Sequence, residues 1–159
     1  MTHVFKAIFF TLCCVATVSL AQSSGFGSIK ANQNAPISLE ADQLSVDEVS
    51  NTALFEGAVE IAQGDVSLSA ARVTVYYGDT QTDISKMIAS GNVVLNSAPD
   101  FAQADQADFD IEAGTLILTG DVTVRQDGNN LTAQRIEIDL ETGAAKMSGR
   151  VKTILTPKK

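Results

Sequence analysis

The stretch Leu116-Ile117-Leu118-Thr119-Gly120-Asp121-Val122-Thr123-Val124 places Leu116, Leu118, Val122 and Val124 on one parity, with Gly120 between them. Alternation sustained this long marks a half-buried antiparallel strand. The same pattern runs through Ala53, Phe55, Gly57, Val59 and Ile61, from Met87 to Leu95, and from Ala145 to Leu155. Gln63-Gly64-Asp65, Asp127-Gly128-Asn129 and Thr142-Gly143 supply hairpin turn chemistry between such strands.

The strands belong to a repeat. Ala41, Ala70, Ala104 and Ala133 open four units at intervals of 29, 34 and 29 residues. Apolar residues follow each Ala at three and five positions: Leu44 and Val46, Val73 and Val75, Ala107 and Phe109, Ile136 and Ile138. Gly57-Ala58-Val59, Gly91-Asn92-Val93, Gly120-Asp121-Val122 and Gly149-Arg150-Val151 recur 16 residues after the Ala, or 21 in the second unit. The next Ala then lies a fixed 13 residues on, so the five extra residues form a loop within Tyr77 to Asp83.

The first strand of each unit changes phase between its Ala and the next apolar residue, as from Ala41 to Leu44. An extra residue there keeps one face buried only if the strand bulges or turns a corner, so a corner repeated in every unit bends the whole sheet along one line. The four glycines read as inward, leaving room either for Phe55 or Phe109 or for a ligand. The expectation is all-β: a jelly-roll-like stack of antiparallel hairpins, open at both ends, with a parallel β-helix as the less suitable alternative because hairpin turns join strands of about ten residues.

The outer parts of the chain restrict function. A basic start with His3 and Lys6, an apolar run from Ala7 to Leu20 and the ending Ser19-Leu20-Ala21 make residues 1–21 an expected cleaved signal peptide, followed by a flexible leader over 22–35 and a domain over 36–157. Removing 21 of 159 residues leaves 138, with 10 basic and 19 acidic residues, without Cys or His. Thiol and imidazole catalysis, disulfides and zinc sites of the usual ligands are thereby excluded, and an acidic surface argues against nucleic acid. No cofactor is expected.

Charge is also polarised. Ile37 to Glu48 carries Glu40, Asp42, Asp47 and Glu48, whereas the chain from Ala144 carries Lys146, Arg150, Lys152, Lys158 and Lys159. Opposite signs on two free strand edges suit a head-to-tail contact with another copy, which does not close and so propagates. The plain alternative is solvated charge that keeps each edge soluble.

Ile37 to Asp47, Leu54-Phe55-Glu56-Gly57-Ala58-Val59-Glu60-Ile61, Gly64 to Ala70 and the closing Val151-Lys152-Thr153-Ile154-Leu155-Thr156-Pro157 together resemble the OstA-like family of lipopolysaccharide transport. The likeness covers residues 36–157, in short motifs whose order and spacing carry it. It implies a periplasmic β-jellyroll that is not an enzyme and whose apolar interior shelters the acyl chains of lipopolysaccharide (lipid A). It also implies copies stacked between an LptC-like inner-membrane component and an LptD-like outer-membrane translocon. On this sequence the lipid path would run along Leu39, Leu44, Val46, Phe55, Val59, Ile61, Leu68, Val73, Val75, Val93, Phe109, Leu118, Val122, Leu131, Ile136, Ile138 and Met147. The partner edges would carry Glu40, Asp42, Asp47, Lys146, Arg150 and Lys152. Ala41, Ala70, Ala104 and Ala107 are small, so the likeness does not set the width of the path.

Three rivals stand beside this reading. One is a filament or scaffold subunit with a dry core, and another is the membrane-anchored component of the same transport system. The third is a carboxylate glycosidase, or a calcium site, at Asp105, Asp108, Asp110 and Glu112. Alternation puts Asp108, Asp110 and Glu112 on the solvent face, opposite Phe109 and Ile111.

Overall fold

The computed structural model describes residues 35–78, 83–126 and 128–156. The expected signal peptide and nearly all of the leader lie outside the described residues, as do residues 79–82 of the inserted loop and the last three positions. Six long strands run as a meander: β3 (Thr52–Gln63), β4 (Val66–Tyr77), β5 (Ile84–Ser97), β6 (Asp100–Asp110), β7 (Thr115–Gln126) and β8 (Asn129–Asp139). Two short strands, β1 (Ile37–Glu40) and β2 (Gln43–Asp47), both pair with β3, and β9 (Ala145–Ser148) and β10 (Lys152–Ile154) both pair with β8. Among the described residues every pairing is antiparallel, each long strand lies beside its sequence neighbour, and the sheet has a free edge at either end.

The expected corner is present in every tier. Where β3 meets β4, Gly57 and Ala58 face the single Ala71, between the pairs Glu56↔Arg72 and Val59↔Ala70. Gly91-Asn92 face Asp105, and Gly120-Asp121 face Gln134, in the same two-against-one manner. At the two ends the same corner separates β1 from β2 and β9 from β10, and Asp42 N–Gly57 O and Gln134 N–Gly149 O, both 2.9 Å, carry the ladder across it. Bulges that fall in one column fold the sheet into two leaves. The strand halves with β2 and β9 form one leaf, and those with β1 and β10 form the other. Both contribute to one core, in which Val59, Val93 and Val122 meet Val73, Leu118 and Ile136, all nearly inaccessible.

The glycines do something other than the sequence suggests. Gly120 has φ +78, and the following Asp121 has φ 41. Both are left-handed, a conformation that glycine adopts freely and that Asp and Asn tolerate better than most residues. A Cβ on Gly120 would strike the side chain of Asp105, and the same position is taken by Asp42 at Gly57, Ala71 at Gly91 and Gln134 at Gly149. These neighbours are exposed. The glycines therefore sit on the outer side of the corner and leave room for neither Phe55, Phe109 nor a ligand, because two left-handed residues in succession turn the inner face past them. Gly120→Ala is expected to cost about 1–3 kcal/mol in urea unfolding. Adding Asp105→Ala should relieve only part of the contact, because the Cβ of residue 105 lies 2.6 Å from the added atom, and it leaves the backbone part untouched.

Candidate functional site

Between the leaves lies an apolar cavity of 640 Å³. One leaf lines it with Ile61, Val66, Leu68, Val93, Leu95, Ala102 and Ala104, and the other with Val73, Met87, Ala89, Ala107, Phe109, Leu116 and Leu118. Its position follows from a comparison of the four units. Two residues before the opening Ala stand Leu39, Leu68, Ala102 and Leu131, and three residues after it stand Leu44, Val73, Ala107 and Ile136. The third unit alone has Ala at both places, and both alanines border the cavity. Strand β6 thus leaves unfilled the volume that Leu, Val or Ile occupies elsewhere.

Of the residues assigned to the path, Ile61, Leu68, Val73, Val93, Phe109 and Leu118 line this cavity. Val59, Val75, Val122, Leu131, Ile136 and Ile138 are buried in the packed core, while Phe55 and Met147 are half-buried against it. Leu39 is half-buried on β1. Leu44 and Val46 differ from the others in exposure. They pair with Phe55 and Ala53 and so share the inner face, but they are 54% and 65% exposed. They lie on the outermost strand, where no further tier covers them. Met87, Ala89, Leu95, Ala102, Leu116 and Leu140 border the cavity without having been assigned to it. The alternating series from Met87 to Leu95 was the available signal for the first three.

The two ends expose apolar surface. Ile37, Leu44 and Val46 are uncovered at the β1/β2 edge, and Val151, Ile154 and Leu155 at the β9/β10 edge. The partner-edge residues Glu40, Asp42, Asp47, Lys146, Arg150 and Lys152 are all exposed. Among the described residues the ion pairs are Arg72–Glu56, Lys86–Asp108 and Arg135–Glu137, none of which involves these six. Asp47 does have local work, because its Oδ1 accepts the Val49 and Ser50 amides at 2.8 and 3.2 Å. Hydrogen bonds from the Ser50 side chain, and then from these amides, hold its carboxyl below the ordinary range.

The acidic cluster dissolves into similar local roles. Asp108 meets Lys86 Nζ at 3.9 Å and accepts from Gln106 at 3.0 Å. Asp110 caps its turn by accepting the Ala113 amide at 2.8 Å, as Asp139 does for Thr142 at 2.8 Å. Strand β6 ends at Asp110, so Ile111, 41% exposed, and Glu112 belong to a turn and not to the two faces that alternation assigned them. Asp105 stands apart, at the corner over Gly120. Among the described residues no group of three His, Cys, Asp or Glu side chains is placed to hold a metal ion.

A family model described as "LptA/(LptD N-terminal domain) LPS transport protein" matches residues 38–144. The lipopolysaccharide export system protein LptA of Haemophilus influenzae is 26% identical over 154 residues, covering 90% of this chain and 89% of that protein. Its Escherichia coli K12 counterpart is 25% identical over 123 residues, covering 74% and 66%. An uncharacterised protein of Rhizobium meliloti is 29% identical over 126 residues, covering 74% and 68%, so the match spans about two thirds of these last two relatives. The crystal structure of LptH, the LptA-homologous periplasmic component of the lipopolysaccharide transport device of Pseudomonas aeruginosa, superposes with a TM-score of 0.68. At 18% identity it covers 80% of this chain and 100% of that one, a likeness of fold.

Proposed function

The chain belongs to the LptA/LptD N-terminal domain family of lipopolysaccharide transport proteins, and from that premise we propose that it is a periplasmic, non-enzymatic carrier of lipopolysaccharide whose copies stack head to tail. Residues 1–21 would serve as the cleaved export signal and 36–157 as the carrier domain. The observation that supports carriage is the apolar cavity between the leaves. A multi-acyl lipid cannot cross an aqueous compartment with its chains bare, since each exposed CH₂ costs about 0.8 kcal/mol. A cavity of side chains without fixed polar anchors along most of its wall covers hydrocarbon while letting it slide, so the energy and direction of transport come from other components. The dry-core scaffold reading fits less well, because a scaffold gains nothing from the two alanines that open β6.

Stacking is supported by the register of the units. The second strand of one unit pairs with the first strand of the next as Val122↔Ala133, Leu118↔Ile136 and Thr123↔Thr132. Carrying that rule past the end of the chain pairs β9 and β10 with β2 and β1 of a second copy. Val151 then meets Ala41, Met147 meets Leu44, Ala145 meets Val46, and Leu155 meets Ile37, which covers Ile37, Leu44, Val46, Val151 and Leu155, all bare at the two edges. On the outer face the same register sets Lys152 opposite Glu40 and brings Arg150 to Asp42. The ends of such a stack would meet the LptC-like and LptD-like partners through the same two edges.

A photo-crosslinking amino acid at Phe109, on the cavity wall, is expected to capture lipopolysaccharide in cells, while the same probe at exposed Ser67 is not. Capture at both positions, or at neither, would reject the interior as the carrier site.

A further inference from the structure

The inner wall holds one feature that a hydrocarbon slot does not need. Asp100 opens β6 with the parity of Ala102 and Ala104, so its carboxylate points between the leaves. Oδ2 accepts from Gln126 Nε2 at 3.2 Å, and Gln126 is itself only 9% exposed. Oδ1 is shut off from solvent and has no hydrogen-bond donor among the described residues. Both residues border a small notch of 20 Å³, together with Ser97 and with Val124 and Ile138 from the two leaves. Leu95, Ala102 and Leu118 border the notch and the large cavity alike, which makes the notch a side chamber of the cavity. At the position of Asp100 the first two units carry Ile37 and Val66, so the fold itself does not require a carboxylate there.

A buried acceptor without a donor is costly, and a plain acyl chain ending against a carboxylate adds to that cost. An anionic headgroup is excluded by its sign. What the notch matches is a neutral donor carried on an apolar chain. We infer that Asp100 and Gln126 form a hydrogen-bonding subsite for a hydroxyl group on an acyl chain seated in the cavity, so that the carrier selects hydroxyacyl over unsubstituted chains. This rests on the carrier reading above. The hydroxyl donates to Asp100 Oδ1 while its hydrocarbon flanks lie against Leu95 and Leu118.

The test displaces a fluorescent fatty-acid probe from the full chain with methyl 3-hydroxytetradecanoate and with methyl tetradecanoate. The hydroxy ester is expected to compete about tenfold better, as for a hydrogen bond to a charged acceptor. Asp100→Leu should erase the difference while keeping binding of the plain ester, with Asp100→Ala as the second variant should Leu prevent folding. Equal competition by the two esters would mean that the notch holds a water only and would overturn the subsite while leaving the carrier intact. A preference that persists in both variants would overturn it too. Failure of both esters to displace the probe would overturn the subsite and the carrier reading together.

Discussion

Ala102→Leu combined with Ala107→Ile is expected to yield a protein that folds at least as stably as the parent and fails to bind lipopolysaccharide. The two replacements restore to β6 the residue types of the other units, at positions that border the cavity. Each added methylene that finds contact contributes up to about 0.8 kcal/mol, so the melting temperature should hold or rise. The bound chain loses the same space, and capture at Phe109 should fall by more than about tenfold. Most damaging substitutions lower stability and activity together, whereas this pair separates them. A stable variant that still captures lipid at the parental level would show that the cavity is incidental to transport.

Reversal of Lys152 to Glu is expected to abolish self-association at low salt, and the addition of Glu40→Lys in the same chain is expected to restore it. The doubly exchanged protein should stack with itself but not with the parent, because each mixed contact sets like charges opposite one another across the same strand pair. Analytical ultracentrifugation of the three proteins, separately and mixed, reads this directly. Raising the salt should weaken the parent contact without eliminating it, since the apolar pairs Met147 with Leu44 and Leu155 with Ile37 are not screened. Failure of the double exchange to recover association, with both proteins folded, would reject the proposed register.

Much of the architecture was legible before the structure. Alternation over Leu116 to Val124 and its three counterparts marks the strands, and the phase change after each opening Ala marks the corner. Burial of Val59, Val93, Val122 and Ile136 follows from the same parity. The glycines were misplaced for a physical reason: parity counting assumes an unbroken pleat, and two left-handed residues reset it, so Gly57 and Gly120 turn outward. Leu44 and Val46 share the inner face yet stay exposed, because alternation tells which face a residue occupies and says nothing of whether another layer lies over it. The cavity was written in Ala102 and Ala107, but only alignment of unit against unit exposes it; taken singly, an inward Ala is ordinary core. The roles of Asp47, Asp110 and Asp139 depend on turn amides two or three residues away, a local geometry that composition hides.

The meander has a mechanical consequence. Among the described residues, backbone contacts between strands run only between neighbours in the sheet, from the β1/β2 end to the β9/β10 end. A protein built this way behaves as a one-dimensional array whose cohesion is a sum of adjacent couplings, and the terminal members, held on one side only, fray first. The short strands β1, β2, β9 and β10 are those members. A neighbouring molecule that supplies the missing side would lengthen the array and remove two loose ends at once. Resistance to unfolding would then grow with protein concentration, and the most easily opened parts of a polymer would be confined to its two extremities.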